Sequence, residues 1–127
     1  MGNSIDELAS YMQPLCRQFL AAATDAGIDC YLVDTGRTPD EQEQKLAQGV
    51  SWTTNSKHEP QPPEMKSEAF DVVPMVYTHM KLWNPSGEYW AKLGEIGEGL
   101  GLRWGGRWTT HPDFGHFEYA KDRAKPL

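Results

Sequence analysis

Downstream of Pro14, the residues Leu15, Phe19, Ala22, Ala23 and Ala26 recur at the three- and four-residue spacing of one helix face, and Gly27 supplies a natural stop. Pro14 either interrupts a helix or sits in the first turn of a new one, where its missing N–H costs nothing. Ahead of it, Ser4 and Glu7 have the spacing of a capping box, which predicts a short helical opening. The pattern then changes. Residues 29–35 (DCYLVDT) read as a buried strand, and Gly36 and Arg37 as a turn. Thr38, Pro39 and Glu41 give an N-cap, an N1 proline and a capping-box acid, so the spacing predicts a helix over 39–48.

Residues 49–66 are rich in proline and polar groups and read as one long loop, the kind that is functional or disordered in a small domain. Residues 68–75 (EAFDVVPM) return to a strand pattern. Ser86 caps a helix predicted to reach about residue 99, with Trp90, Leu93 and Ile96 on one face and Gly94, Gly97 and Gly99 weakening its second half. Short strands are expected at 102–104 and 114–120. Helices flanking a small, mostly antiparallel sheet make this an α+β chain, and 127 residues suit a single domain over 1–127.

Composition narrows the function. A net charge of −6 with no basic stripe argues against a nucleic-acid partner. No apolar run is long enough to span a bilayer, and the N-terminus lacks the basic-then-apolar order of a signal peptide. The expectation is therefore synthesis in the cytoplasm. The two cysteines, Cys16 and Cys30, are expected to be free thiols without a catalytic part. Trp90 and Trp104 are expected in the core.

Histidine is scarce, at positions 58, 79, 111 and 116, and three short segments hold metal-ligating types. They are Ser56-Lys57-His58, Ala69-Phe70-Asp71 and Asp113-Phe114-Gly115-His116. A catalytic zinc site takes three His, Asp or Glu ligands and keeps one position open for water, which the metal acidifies. Asp71 is the most informative, because a carboxylate inside an apolar strand needs a partner. Each piece also has an ordinary reading. His58 would be a solvated loop histidine, Asp71 the partner of an arginine or the cap of a turn, His116 a satisfied core histidine and Asp113 the start of a turn.

In these segments the chain resembles the M15 family of zinc peptidases, which includes D-Ala-D-Ala carboxypeptidases and the L-alanyl-D-glutamate endopeptidases of phage lysins. Two further stretches are similar to family segments: Asp34-Thr35-Gly36-Arg37-Thr38-Pro39-Asp40-Glu41-Gln42 and Trp104-Gly105-Gly106-Arg107-Trp108. The resemblance implies a fold like that of the hedgehog and D-Ala-D-Ala peptidases. It implies zinc on His58, Asp71 and His116, with Asp113 as general base. Arg37 would bind substrate and the developing oxyanion, supported by Ser56 and Gln42. His58 and Asp71 lie 13 positions apart (71 − 58), wider than in the compact family pattern, which implies a proline-rich insertion and leaves Glu68 as a rival to Asp71. The implied substrate is the peptide stem of peptidoglycan, cut by a monomeric phage or prophage endolysin that meets the wall after release. The alternatives are removal of terminal D-Ala, non-haem iron chemistry on the same ligand types, and a zinc-bearing binding module without activity.

Overall fold

In a computed structural model, residues 3–36, 66–76 and 88–120 are described. Their elements follow the predicted order: a 3-10 turn Ile5–Glu7, helix α1 (Gln13–Asp25), strand β1 (Cys30–Asp34), strand β2 (Ala69–Pro74), helix α2 (Glu88–Gly99), strand β3 (Leu102–Trp104), a 3-10 turn Gly105–Arg107 and strand β4 (His116–Tyr119). The expected helix over 39–48, the loop over 49–66 and the Ser86 cap fall mainly or wholly outside the described residues.

Local chemistry explains the starts and stops. Ser4 and Glu7 form the complete capping box. Pro14 stands in the first turn of α1, and Gly27 follows the helix at a φ of 86°. The buried stripe of α1 differs from the sequence expectation. Cys16, Phe19 and Ala23 are buried with Met12 just ahead of them, whereas Leu15 and Ala22 are half-buried and Ala26 is exposed. The spacing was helical in either reading, but alanine carries too little apolar surface to fix which stripe turns inward.

The four strands form one antiparallel sheet in the order β1-β2-β4-β3, so the described fold is α+β. Both helices pack on the sheet. Phe19 of α1 meets Phe70 and Phe117 with ring centroids 5.4 and 4.5 Å apart, which joins α1 to the two inner strands. The glycines of α2 have a packing role that helix propensity conceals. A Cβ on Gly97 would lie 2.4 Å from the Phe117 ring, and one on Gly94 would lie 2.5 Å from the Trp104 ring. These residues let the helix approach strands β3 and β4 closely. Trp90 and Trp104 belong to the buried cluster, as the sequence suggested. Cys16 and Cys30 are free thiols, and burial is the first cause pushing both up to about 12. Among the described residues no helix is long and apolar enough to cross a membrane.

Candidate active site

The register between the two inner strands builds the site. Asp71 on β2 stands directly opposite His116 on β4, and Asp34 on β1 is the next partner of Asp71 across the sheet. Directly opposed side chains in an antiparallel pair share a face and touch. Nδ1 of His116 is accordingly 2.9 Å from Oδ1 of Asp71. Asp71 is the one half-buried position in a strand whose other five residues are buried.

A turn brings in the third group. The His116 amide donates to the Asp113 carbonyl at 3.3 Å, and the Asp113 amide donates to the Gly105 carbonyl at 3.0 Å. This i-to-i+3 bond closes a turn that delivers Asp113 to the side of His116. One ligand atom from each of Asp71, Asp113 and His116 lies within 4.8 Å of the others. The resemblance implied Asp71 and His116 as metal ligands and Asp113 as general base, and these three are brought together. Glu68, the rival of Asp71, is buried and accepts a hydrogen bond from the Tyr11 hydroxyl. His111 is exposed and does not belong to the group, with a left-handed φ of 55°. His58, Arg37, Ser56 and Gln42 lie outside the described residues.

The segment 104–108 frames this corner. Trp104 fills the core and donates from Nε1 to the Phe114 carbonyl at 2.8 Å. Gly105 accepts the amides of both Trp108 and Asp113. The Trp108 ring lies 5.1 Å from the His116 ring. Arg107 points outward to a two-pronged pair with Glu98, both contacts at 3.0 Å, and its guanidinium covers the Trp104 ring. A cavity of about 360 Å³ opens beside the acids, lined by Asp71 and Asp113 and by the apolar Val33, Trp90, Pro112 and Phe114.

One residue in contact with His116 escaped the sequence reading. Glu118 is buried, and its Oε1 is 2.7 Å from Nε2 of His116. The signal was present as a carboxylate two residues after His116 inside an apolar strand, because positions i and i+2 share a face. The histidine is thus held between two acids. Burial by itself would lower the pKa of the imidazolium. The hydrogen bonds to Asp71 and Glu118, with the negative charges of Asp71 and Asp113, outweigh it and push His116 up to about 10.

The donor set suits a metal ion. Two carboxylates and one imidazole nitrogen converge beside a cavity, and acids around a buried histidine are the charge environment a divalent cation satisfies. Asp113 is exposed, so it also remains accessible to a reacting molecule.

Comparison with known proteins places this geometry. No curated protein sequence matches the chain. Seven chains of solved structures do. One is the L-Ala D-Glu endopeptidase ChiX of Serratia marcescens, with a TM-score of 0.67 and 20% identity, covering 91% of this chain and 83% of that one. At this identity the likeness establishes the shared fold. The family profile described as D-alanyl-D-alanine carboxypeptidase matches residues 49–119, a span that includes Asp71, Asp113 and His116. With more than half of its length matched, the chain belongs to this family of M15 peptidases.

Proposed function

We propose that the chain is a zinc-dependent peptidase that hydrolyses an amide bond in the peptide stem of peptidoglycan, between L-Ala and D-Glu. The observation that carries this reading is the convergence of Asp71, Asp113 and His116 within 4.8 Å, beside a cavity, in a chain of a peptidase family. Asp71 and His116 would hold the metal together with His58. When bound, zinc supplies Lewis acidity, which acidifies water and polarises the carbonyl under attack.

The chain's own groups do the rest. Asp113 accepts a proton from the attacking water and returns it to the amide nitrogen as that nitrogen leaves. Its exposure beside the cavity supports this role. Arg37 binds the substrate and balances the negative charge that grows on the carbonyl oxygen, with Ser56 and Gln42 in support. Val33, Trp90 and Phe114 give the cavity beside these charges an apolar wall.

Mass spectrometry of purified peptidoglycan after digestion identifies the bond. New N-terminal D-Glu supports the endopeptidase reading. Free D-Ala would instead support the carboxypeptidase reading, which the family description favours. Bound zinc without any product would leave a binding module. An intact stem and no bound metal would refute the proposal. The biological setting we propose is that of a phage or prophage endolysin acting as a monomer from one domain over 1–127. Its addition to exposed cell walls should lower their turbidity.

A further inference from the structure

We infer that Glu118 is a positioning residue for the metal centre: when a metal takes the place of the Nδ1 proton of His116, Glu118 accepts the proton that stays on Nε2 and holds the ring with Nδ1 towards Asp71. The inference rests on the reading of Asp71, Asp113 and His116 as metal-binding.

The argument begins with the strand. His116 and Glu118 are two apart on β4, so both project from the same face, while Phe117 between them enters the aromatic core. The register partners of Glu118 are Ala69 on β2 and Arg103 on β3. Ala69 is small and leaves the carboxylate room to lean along its own strand to His116. The side chain of Glu118 is only 12% exposed, and that of His116 6%. Burying a carboxylate is costly unless it is hydrogen-bonded, and here the 2.7 Å contact with Nε2 compensates for part of the lost water.

Donor arithmetic then assigns the proton. A carboxylate accepts and does not donate, and a neutral imidazole carries one N–H. His116 has an acid at each nitrogen, Asp71 at Nδ1 and Glu118 at Nε2. Nδ1 is the nitrogen that touches Asp71, which converges with Asp113 on the same ring. A metal there requires the Nδ1 lone pair, which leaves the single proton on Nε2, where Glu118 accepts it. The same contact stops the ring from rotating about its bond to the strand. A carboxylate behind a metal-binding histidine orients the ring and raises its basicity, and its loss typically weakens metal binding about 10–100-fold.

The experiment measures zinc affinity by competition with a chromophoric chelator for the wild type, Glu118→Gln and Glu118→Ala, with folding checked by circular dichroism. Glu118→Ala should bind zinc about 10–100-fold more weakly. Glu118→Gln should fall between them, because its amide oxygen still accepts the Nε2 proton without a full charge. Nitrogen-15 NMR of the zinc-loaded wild type should show a protonated Nε2 and a metal-bound Nδ1, a signature that packing alone would not produce. If Glu118→Ala does not fold, Glu118→Gln and the NMR spectrum decide. Wild-type affinity in a folded variant, or a proton on Nδ1, overturns the role of Glu118 and leaves the metal centre standing. A wild type that binds no zinc overturns both.

Discussion

In the metal-free protein, the stability that His116 contributes should decline as pH rises from about 6.5 towards about 10. The imidazolium of His116 donates to Asp71 at 2.9 Å and to Glu118 at 2.7 Å, in a pocket that leaves the side chain 6% exposed. These bonds and the charges of Asp71 and Asp113 overcome the effect of burial and hold its pKa near 10, against an ordinary 6.5. A cation with a raised folded pKa stabilises the fold fully below the unfolded value and loses that contribution as pH climbs through the folded one. Each unit of separation is worth about 1.4 kcal/mol, so the window from 6.5 to about 10 spans on the order of 5 kcal/mol. Urea denaturation of chelator-treated protein across this window measures the effect. His116→Gln provides the reference, because it lacks the titrating group while other titrations remain in both proteins. The advantage of the wild type over the variant should shrink steadily with rising pH, and saturating zinc should flatten the slope by replacing the Nδ1 proton. An advantage that stays constant or grows with pH in the metal-free proteins would refute the reasoning.

Two further outcomes test the site and its support. Asp113→Asn should keep its zinc and lose about 10²–10⁴-fold in turnover, because an amide does not accept the proton; loss of zinc would make Asp113 a ligand, and full activity would remove it from the mechanism. Gly97→Ala should lower the melting temperature although alanine is the better helix former, because its Cβ would meet the Phe117 ring at 2.4 Å and overpacking costs about 1–3 kcal/mol. Gly99→Ala, with no atom near its Cβ, should be neutral or slightly stabilising, and an equal response of the two variants would contradict the packing argument.

Much of the fold was legible because its signals are local. The Ser4–Glu7 capping box, the stop at Gly27 and the strand at 102–104 need only neighbouring residues and occur where the sequence placed them, and Pro14 takes one of the two roles the sequence left open, in the first turn of α1. Asp71 and His116 were also legible as candidates, since each interrupts an apolar strand. Their opposition was not, because strand register depends on how β2 and β4 pair across a separation of 45 positions. Glu118 was hidden for a related reason: its role exists only through the ring it touches. Gly94 and Gly97 read as weak helix residues because their reason for being there is the aromatic rings across the interface. His58, Arg37, Ser56 and Gln42 remain proposals from the resemblance.

The support of each group matches the work proposed for it. Asp71 and His116 stand on β2 and β4, the two strands that are hydrogen-bonded on both sides in the order β1-β2-β4-β3. Phe70 and Phe117, their neighbours in the chain, lock against Phe19 on the helical side. Metal ligands benefit from such rigidity, since small displacements weaken a coordination site. Asp113 is mounted differently. It is exposed, sits on a turn, and is tied through its backbone to Gly105 and His116 while its side chain borders the cavity. A general base in amide hydrolysis must serve two places, first the water and then the leaving nitrogen. A carboxylate on an anchored turn has the freedom to rotate between them, which one clamped in the sheet beside Asp71 would lack. The sheet therefore holds the residues that need one geometry, and the turn holds the residue that needs two.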